Sequence, residues 1–278
     1  METLRAGGRR TEAIRIAETA LEVAGRAFPA GDPSLGMSNE RLAQLLEEQG
    51  RSDLAKPYLA KALALAEQSV PTDQRVIYRR SRRLANLCDS LGEQEAAIAC
   101  YETAIRAGGQ LDSISHTELG TLLNNVALIY RKSGREKAAE PYYLHALELY
   151  EKHLGPNHPD VAAVLNNLGV FYTSERRYPE AEQMHRRALA IRTQAHPDGH
   201  ADVAQSNSNL AVVYHSRGDL ARASELYRES LGKWENLAGD PPEDYEIVTS
   251  NYADLLRSLG KARKAASLEA RARKKRRR

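Results

Sequence analysis

Apolar and small residues recur along the chain at spacings of three and four, which is the spacing of one face of an α-helix. Each such group is followed by a glycine and then by a second group of the same kind. The pattern repeats every 42 residues, and the stretches 119–160, 161–202 and 203–244 align without a gap. It therefore predicts tandem pairs of helices, here called helix A and helix B, joined by short turns.

Helix A precedes the turn. Its first inward position holds a large apolar residue, and the next residue is small. The small residues are Ala43, Ala85, Ala127, Gly169, Ala211 and Ala253. A small side chain at a fixed position allows a partner helix to approach closely, so we predict that helix B packs there.

Helix B follows the turn and alternates small and large residues. A fixed position holds Ala13, Ala55, Ala97, Ala139, Ala181, Ala223 and Ala265. Seven residues later another small residue follows, and between the two lies a larger one: Leu59, Tyr101, Tyr143, His185 or Tyr227. This alternation is typical of two interdigitating helices.

The turn itself holds a glycine in all but one repeat: Gly8, Gly50, Gly92, Gly134, Gly218 and Gly260. Glycine adopts positive φ without a steric penalty and so ends one helix and reverses the chain. The exception is Arg176, where a positive φ would cost on the order of 1 kcal/mol.

The order of small residue, aromatic, glycine turn, alanine, aromatic and alanine resembles the tetratricopeptide repeat. The 42-residue length, the LNNL of helix A and the LGPNHPD linker resemble the longer repeats of kinesin light chains and related proteins. The resemblance implies an all-α fold, a right-handed α-solenoid of antiparallel helix pairs. Helix A would line a concave groove that binds extended peptides.

The pattern also suggests domain boundaries. Residues 1–37 hold an N-terminal half-repeat, a helix B over Arg10–Phe28 without its helix A, and a linker. Residues 38–266 form an array of about six repeats with its core at 119–244. Residues 267–278 form a basic C-terminal cap. The half-repeat is either a cap or the sign of a longer array.

The aspartates that open helix A, at 160, 202 and 244, are expected to be its N-caps.

Charge is unevenly distributed. Residues 261–278 carry a formal charge of +9, which leaves −6 for the first 260 residues of a chain whose total is +3. Overall basicity is therefore no argument for nucleic-acid binding. Only the tail 271–278 suggests contact with nucleic acid or an anionic surface, and a solvated helix cap is the preferred interpretation.

The sequence favours a non-enzymatic protein. It has no phosphate-binding GxxxxGK[ST], no HExxH and no GxSxG, so we expect no cofactor and no small-molecule substrate. His196 and His200 are four apart, but Pro197 and Gly199 put them in a linker rather than on one helical face, so no metal site is expected. Cys88 and Cys100 match no metal spacing. Without a signal peptide or an apolar run able to span a membrane, the chain is predicted to be cytoplasmic.

The candidate binding residues lie on the other face of helix A. One register position holds Asn125, Asn167, Asn209 and Asn251, with Asn124 and Asn166 beside the first two. Asparagine is about 0.6 kcal/mol worse than alanine inside a helix, so the repetition needs a reason. Its amide matches the donors and acceptors of an extended peptide backbone. Equally, the amides could tie neighbouring repeats together.

A second set adds positive charge. Arg79, Arg82 and Arg83 take groove positions one repeat earlier, near Asn86, and predict a site for an anionic ligand. In tetratricopeptide domains that bind a C-terminal carboxylate, Arg82, Asn86 and Asn125 would match three positions. Ala163 and Asn167 replace the basic residues expected on the third helix. An acidic linear motif of a partner protein is therefore the expected ligand, by resemblance to kinesin light chains.

Two other functions remain open from the sequence. One is an accessory protein that binds nucleic acid or an anionic surface through the basic tail. The other is a regulatory repeat fragment of a larger signalling protein.

Overall fold

A computed structural model describes residues 10–29, 32–196, 200–236 and 243–276, and these form thirteen α-helices and no strand. The helices are α1 (Arg10–Ala27), α2 (Pro33–Glu47), α3 (Ser52–Gln68), α4 (Gln74–Ser90), α5 (Gln94–Gly108), α6 (His116–Lys132), α7 (Glu136–Leu154), α8 (Pro159–Ser174), α9 (Tyr178–Ala195), α10 (Ala201–Arg217), α11 (Leu220–Asn236), α12 (Glu243–Ser258) and α13 (Ala262–Arg276). The predicted all-α repeat fold is confirmed.

The chain divides into two compact units, Met1–Ala146 and Leu147–Arg278. In the first unit α2 pairs with α3 and α4 with α5, and contacts of α3 with α4 and of α5 with α6 join successive pairs. In the second unit the pairs are α8 with α9, α10 with α11 and α12 with α13. Within that unit α10 also contacts α8 and α12, so each helix A lies beside the next helix A.

The small residues at the fixed positions of helix A and helix B lie at the centre of each helix pair. All seven alanines at the first helix B position are fully buried, as are the five alanines at the helix A position. The large residues between them are also at most 2% exposed: Leu59, Tyr101, Tyr143, His185 and Tyr227. The predicted interdigitation of small and large residues is therefore confirmed throughout the described part of the array.

The turns have the predicted left-handed residue. Gly50, Gly92, Gly134, Gly218 and Gly260 have φ between 72° and 84°, and Gly8 lies outside the described residues. Arg176 has φ 58°. Its turn also keeps the hydrogen bond of the glycine turns, since the Arg177 amide donates to the Tyr172 carbonyl at 2.8 Å. The chain therefore bends in the same way at Arg176 despite the cost of its Cβ.

The predicted N-caps were wrong. Helices α8 and α10 begin at Pro159 and Ala201, so their N-caps are His158 and His200. Each imidazole Nδ1 accepts from an amide two residues later, that of Asp160 or Asp202, at 3.2 Å. The helices begin earlier than expected, which puts both aspartates in the first turn, where the helix dipole favours a negative charge. Asp244 likewise lies inside α12.

One repeat departs from the usual alanine and tyrosine pairing. Gly169 of α8 stands where the other repeats have alanine, and His185 of α9 stands where most have tyrosine. A Cβ added at Gly169 would lie 2.6 Å from Cε1 and Nε2 of His185. A glycine is therefore needed at position 169, because the imidazole of His185 lies against its backbone.

The His185 side chain is also buried. Burial, together with the charge of Arg192, lowers the pKa of His185 to about 4.

Gly169→Ala should destabilise the protein by about 1–3 kcal/mol, because the new methyl group overlaps a closely packed ring. Gly169→Ala combined with His185→Tyr restores the pair found as Ala127 with Tyr143 and as Ala211 with Tyr227, and should recover much of that loss. Urea unfolding of the two single variants and the double variant checks the coupling. Additive free-energy changes would contradict the proposed contact.

The same histidine should make stability depend on pH. The unfolded chain takes up a proton near pH 6.5 while the folded imidazole does so only near pH 4, so stability falls as the pH drops through this window. The loss attributable to His185 should approach about 3 kcal/mol near pH 4. Unfolding of the wild type and of the double variant between pH 4 and pH 7.5 isolates this contribution, which the tyrosine variant should lack.

Arg176→Gly should raise the free energy of unfolding by up to about 1 kcal/mol. Removing the strain of a left-handed arginine gains about 1–2 kcal/mol, and the added freedom of glycine in the unfolded chain offsets part of it. Gly218→Arg makes the opposite change in the next turn and should destabilise by a similar amount. Thermal melts of both variants check the pair, and a stabilising Gly218→Arg would refute the argument.

Candidate functional site

Helix α4 carries the arginine cluster and is positioned by a side-chain cap. Asp73 accepts hydrogen bonds from the amides of Arg75 and Val76, at 2.9 and 3.4 Å, which fixes the start of the helix. From that start, the helical period sends Arg79, Arg82 and Arg83 away from the core formed by Leu84 and its neighbours. The predicted spacing therefore brings three arginines to one accessible side of the first unit.

Each of these arginines has a glutamate partner on a neighbouring helix A. Arg79 Nη2 lies 3.1 Å from Glu40 of α2, and Arg82 Nη1 lies 3.4 Å from Glu118 of α6. Arg83 forms an ion pair with Glu47 of α2. Three carboxylates thus face the three guanidinium groups. This surface alternates in charge, whereas the sequence spacing alone indicated a positive patch.

The Arg82 pair is the most loosely held of the three. Its side chain is 43% exposed and that of Glu118 is 45% exposed. Arg82 also lies 5.4 Å from the ring centre of Tyr78, whose hydroxyl is 3.4 Å away. Exposed pairs of this kind contribute about 0–1 kcal/mol. An incoming carboxylate could therefore replace Glu118 at Arg82 with little loss of stability.

Arg80 is a different kind of residue from its neighbours. Its side chain is 5% exposed, its Nε lies 2.9 Å from Glu40, and its Nη1 donates to the Ala62 carbonyl at 2.7 Å. A Cβ on Gly36 would lie 2.6 Å from its guanidinium group. Arg80 therefore joins α4 to α2 and α3 from inside. Gly36 lies inside α2, and a glycine inside a helix is the sequence feature that accompanies such a close approach.

Two of the predicted amides meet at a buried tyrosine. The Tyr101 hydroxyl donates to Asn86 Oδ1 at 2.6 Å, and the side chain of Asn125 also hydrogen-bonds to that hydroxyl. Burial of the ring raises the pKa of Tyr101. The sequence pattern predicts the Tyr101 ring in the core, and the structure adds that its hydroxyl links the helix A amides of two successive repeats.

A cavity of 330 Å³ opens at these three side chains in the first unit. Asp89 and Lys132 add charge to its wall, and Leu128 adds an apolar surface. The cavity thus offers amide donors and acceptors, both signs of charge and an apolar contact. That combination suits a peptide side chain together with the backbone on either side of it.

The amides of the second unit are arranged differently. Asn209 Nδ2 donates to Asn166 Oδ1 at 2.7 Å, and Asn166 is 9% exposed. This bond joins α10 to α8, so for this pair the amides do connect neighbouring repeats. Asn167 and Asn251 lie partly exposed at the same register position in this unit, and Asn124 lies partly exposed in the first unit.

The basic C-terminal helix uses part of its charge within the fold. Arg271 of α13 forms an ion pair with Glu235 of α11, and Lys275 Nζ donates to the Glu235 carbonyl at 3.1 Å. Lys275 also lies 5.7 Å from the ring centre of Tyr245. These two residues of the tail are therefore in contact with the preceding repeat. No helix in the described part of the chain is long and apolar enough to cross a membrane.

The chain belongs to the tetratricopeptide repeat family. Models of the tetratricopeptide repeat match residues 2–68, 118–194 and 202–278, and a further repeat model matches residues 83–107. Together these matches cover most of the chain. Proteins of this family bind protein partners, and the family is generally non-enzymatic.

Solved structures with the same fold include kinesin light chain-like repeats. BtubC (BKLC) from P. vanneervenii is 28% identical, with 84% of this chain and 95% of that chain covered and a TM-score of 0.60. A Podosopora anserina structure of nearly identical TPR-like repeats of the kinesin light chain type is 19% identical, with 73% and 95% covered and a TM-score of 0.60.

A tetratricopeptide repeat protein from Parabacteroides merdae is 17% identical, with 84% and 77% covered and a TM-score of 0.62. At such low identity the last two structures indicate the fold alone. No curated protein sequence matches this chain.

Arg80→Ala should destabilise the protein by about 3 kcal/mol or more, because it removes a buried cation and leaves the Ala62 carbonyl and part of Glu40 without their partner. Arg79→Ala is the matched control, since Arg79 shares the same carboxylate but its side chain is 60% exposed. Its effect should stay within about 1 kcal/mol. Equal losses of unfolding free energy in the two variants would contradict this assignment.

Proposed function

We propose that this protein is a non-enzymatic interaction scaffold that binds an acidic peptide segment of a partner protein along its helix A surface. The observation that carries the proposal is the first-unit surface of α4, where Arg82 lies one helical turn before Asn86 and Asn86 meets Tyr101 and Asn125 at a cavity. It combines side-chain amides and a cavity with an arginine whose glutamate partner can be replaced.

Two free thiols, Cys88 and Cys100, accord with a reducing compartment, and we place the protein in the cytoplasm.

The charge of the ligand follows from the three ion pairs. Glu118 holds Arg82 at 3.4 Å in an exposed setting. A peptide carboxylate that reaches Arg82 with two parallel hydrogen bonds would form a stronger contact than the existing one. Arg79 and Arg83, held by less exposed glutamates, contribute long-range attraction and orientation. The ligand is therefore expected to have an acidic residue at the position that meets Arg82.

The peptide backbone is assigned to the amides. Asn86 and Asn125 flank the Tyr101 hydroxyl in the 330 Å³ cavity, and Asn124 lies next to Asn125 on α6. In the second unit, Asn167, Asn209 and Asn251 continue the same register and are assigned the same role. Asn166 is assigned a supporting role, because its oxygen already accepts from Asn209.

We assign residues 38–266 to the binding array, residues 1–37 to an N-terminal half-repeat and linker, and residues 267–278 to a basic C-terminal cap. Binding of nucleic acid through the tail is the less favoured function, because Arg271 and Lys275 are engaged with Glu235.

Arg82→Glu should abolish binding of acidic peptides selected by the wild-type protein from a random peptide display library. The change places a second negative charge beside Glu118 and removes the cation that meets the ligand. Affinity of the wild type should also fall with added salt, because the pairing is exposed. Fluorescence anisotropy of labelled selected peptides at low and high salt measures both effects.

The matched control is Arg26→Glu, which makes the same charge change at an arginine of α1 whose side chain is 79% exposed. It should leave affinity within about twofold, since it lies outside the proposed surface. Peptides without acidic enrichment, or binding that tolerates both salt and Arg82→Glu, would refute the acidic ligand. Retention on a DNA matrix that is lost on deleting residues 271–278 would favour the tail function instead.

A further inference from the structure

Three potential metal ligands lie close together where α9 ends and α10 begins. His196, His200 and Asp202 each offer one ligand atom, and these atoms all lie within 4.8 Å of one another. The two imidazole rings are stacked with their centroids 4.3 Å apart. The sequence places these histidines off any shared helical face, yet their rings lie side by side in the structure.

Part of this cluster has a structural explanation, and a neighbouring repeat shows which part. In the preceding linker, His158 caps α8 and lies 3.6 Å from Asp160, as His200 caps α10 and lies 3.5 Å from Asp202. The cap therefore accounts for a histidine and an aspartate in both linkers. Position 154, which corresponds to His196, is leucine. His196 is the donor that the cap does not explain.

Two imidazoles and one carboxylate form a ligand set that zinc binds in proteins, usually with four ligands in a tetrahedron. Bonds of about 2.0–2.1 Å place the donor atoms of such a site about 3.3 Å apart. The observed separations exceed this by at most about 1.5 Å, and all three side chains are partly or fully exposed. Small side-chain rotations at an accessible surface close the site, and a bond from His200 Nδ1 to the ion would replace its present hydrogen bond from the Asp202 amide.

We propose that His196, His200 and Asp202 bind a divalent transition-metal ion of the zinc class, with a water molecule as fourth ligand. His196 directly follows the last residue of α9, and His200 precedes the first residue of α10. The bound ion connects the end of one repeat to the start of the next. Because the three side chains are already close together in the folded chain, the ion binds the folded state more tightly than the unfolded one and stabilises the fold.

Zinc chloride titrated into the full chain by isothermal calorimetry should show one saturable site, and thermal melts should show a higher Tm with zinc than with a chelator. His196→Leu reproduces the preceding linker and should lose both the site and the Tm shift, while its Tm in chelator stays close to that of the wild type. His200→Asn keeps an N-cap side chain and should also lose the site.

His158→Asn is the control, because it alters the corresponding cap in a linker where leucine stands in place of His196, and it should bind zinc as the wild type does. Absence of saturable binding by the wild type would overturn the proposal. Equal zinc binding by the wild type and by His196→Leu would also overturn it, since the ion would then lie elsewhere, for instance at the cysteines. If His196→Leu does not fold, His200→Asn against His158→Asn decides in the same way.

Discussion

The close approach of helix A to helix B is the constraint on which the rest of this structure depends. A fully buried alanine or glycine on each helix leaves room for one large side chain of helix B. Interiors packed at this density do not accept an added methyl group without movement. The turn geometry, the register between repeats and the outward direction of the polar side chains all follow from keeping that contact every 42 residues.

The same packing determines which residues remain available to a ligand. The inward side chains of helix A pack against helix B. Its arginines and asparagines therefore project from the remaining face, where they meet a neighbouring helix A of the same unit. The ion pairs of Arg79, Arg82 and Arg83 and the Asn209 bond to Asn166 are such contacts between repeats. Polar groups that join repeats and polar groups that could bind a peptide therefore occupy one surface, and exposure decides how readily each exchanges partners.

The repeat at 161–202 matches the family pattern well and yet concentrates the departures from it. It has Arg176 at the left-handed turn, Gly169 with His185 in place of alanine with tyrosine, and the two stacked histidines around its closing linker. The first two departures keep the backbone path while changing the side chains, as expected when the path is set by neighbouring repeats on both sides. The arginine cluster lies in the other unit, whereas Asn166 and Asn167 belong to this irregular repeat.

Periodicity by itself determined the helix pairs, the buried small and large positions and the left-handed turns, because each depends on residues within about one helical pair. Arg82 and Asn86 share one side of α4 for the same reason, because they are four residues apart. Only the tertiary structure decided the partners, because Glu40 and Glu47 lie 36–40 residues from the arginines they hold. It also separated buried Arg80 from exposed Arg79, adjacent in sequence and bonded to the same carboxylate. Local patterns fix which face of its helix a side chain occupies, whereas burial, ion pairing and the meeting of His196 with His200 depend on where the neighbouring helices lie.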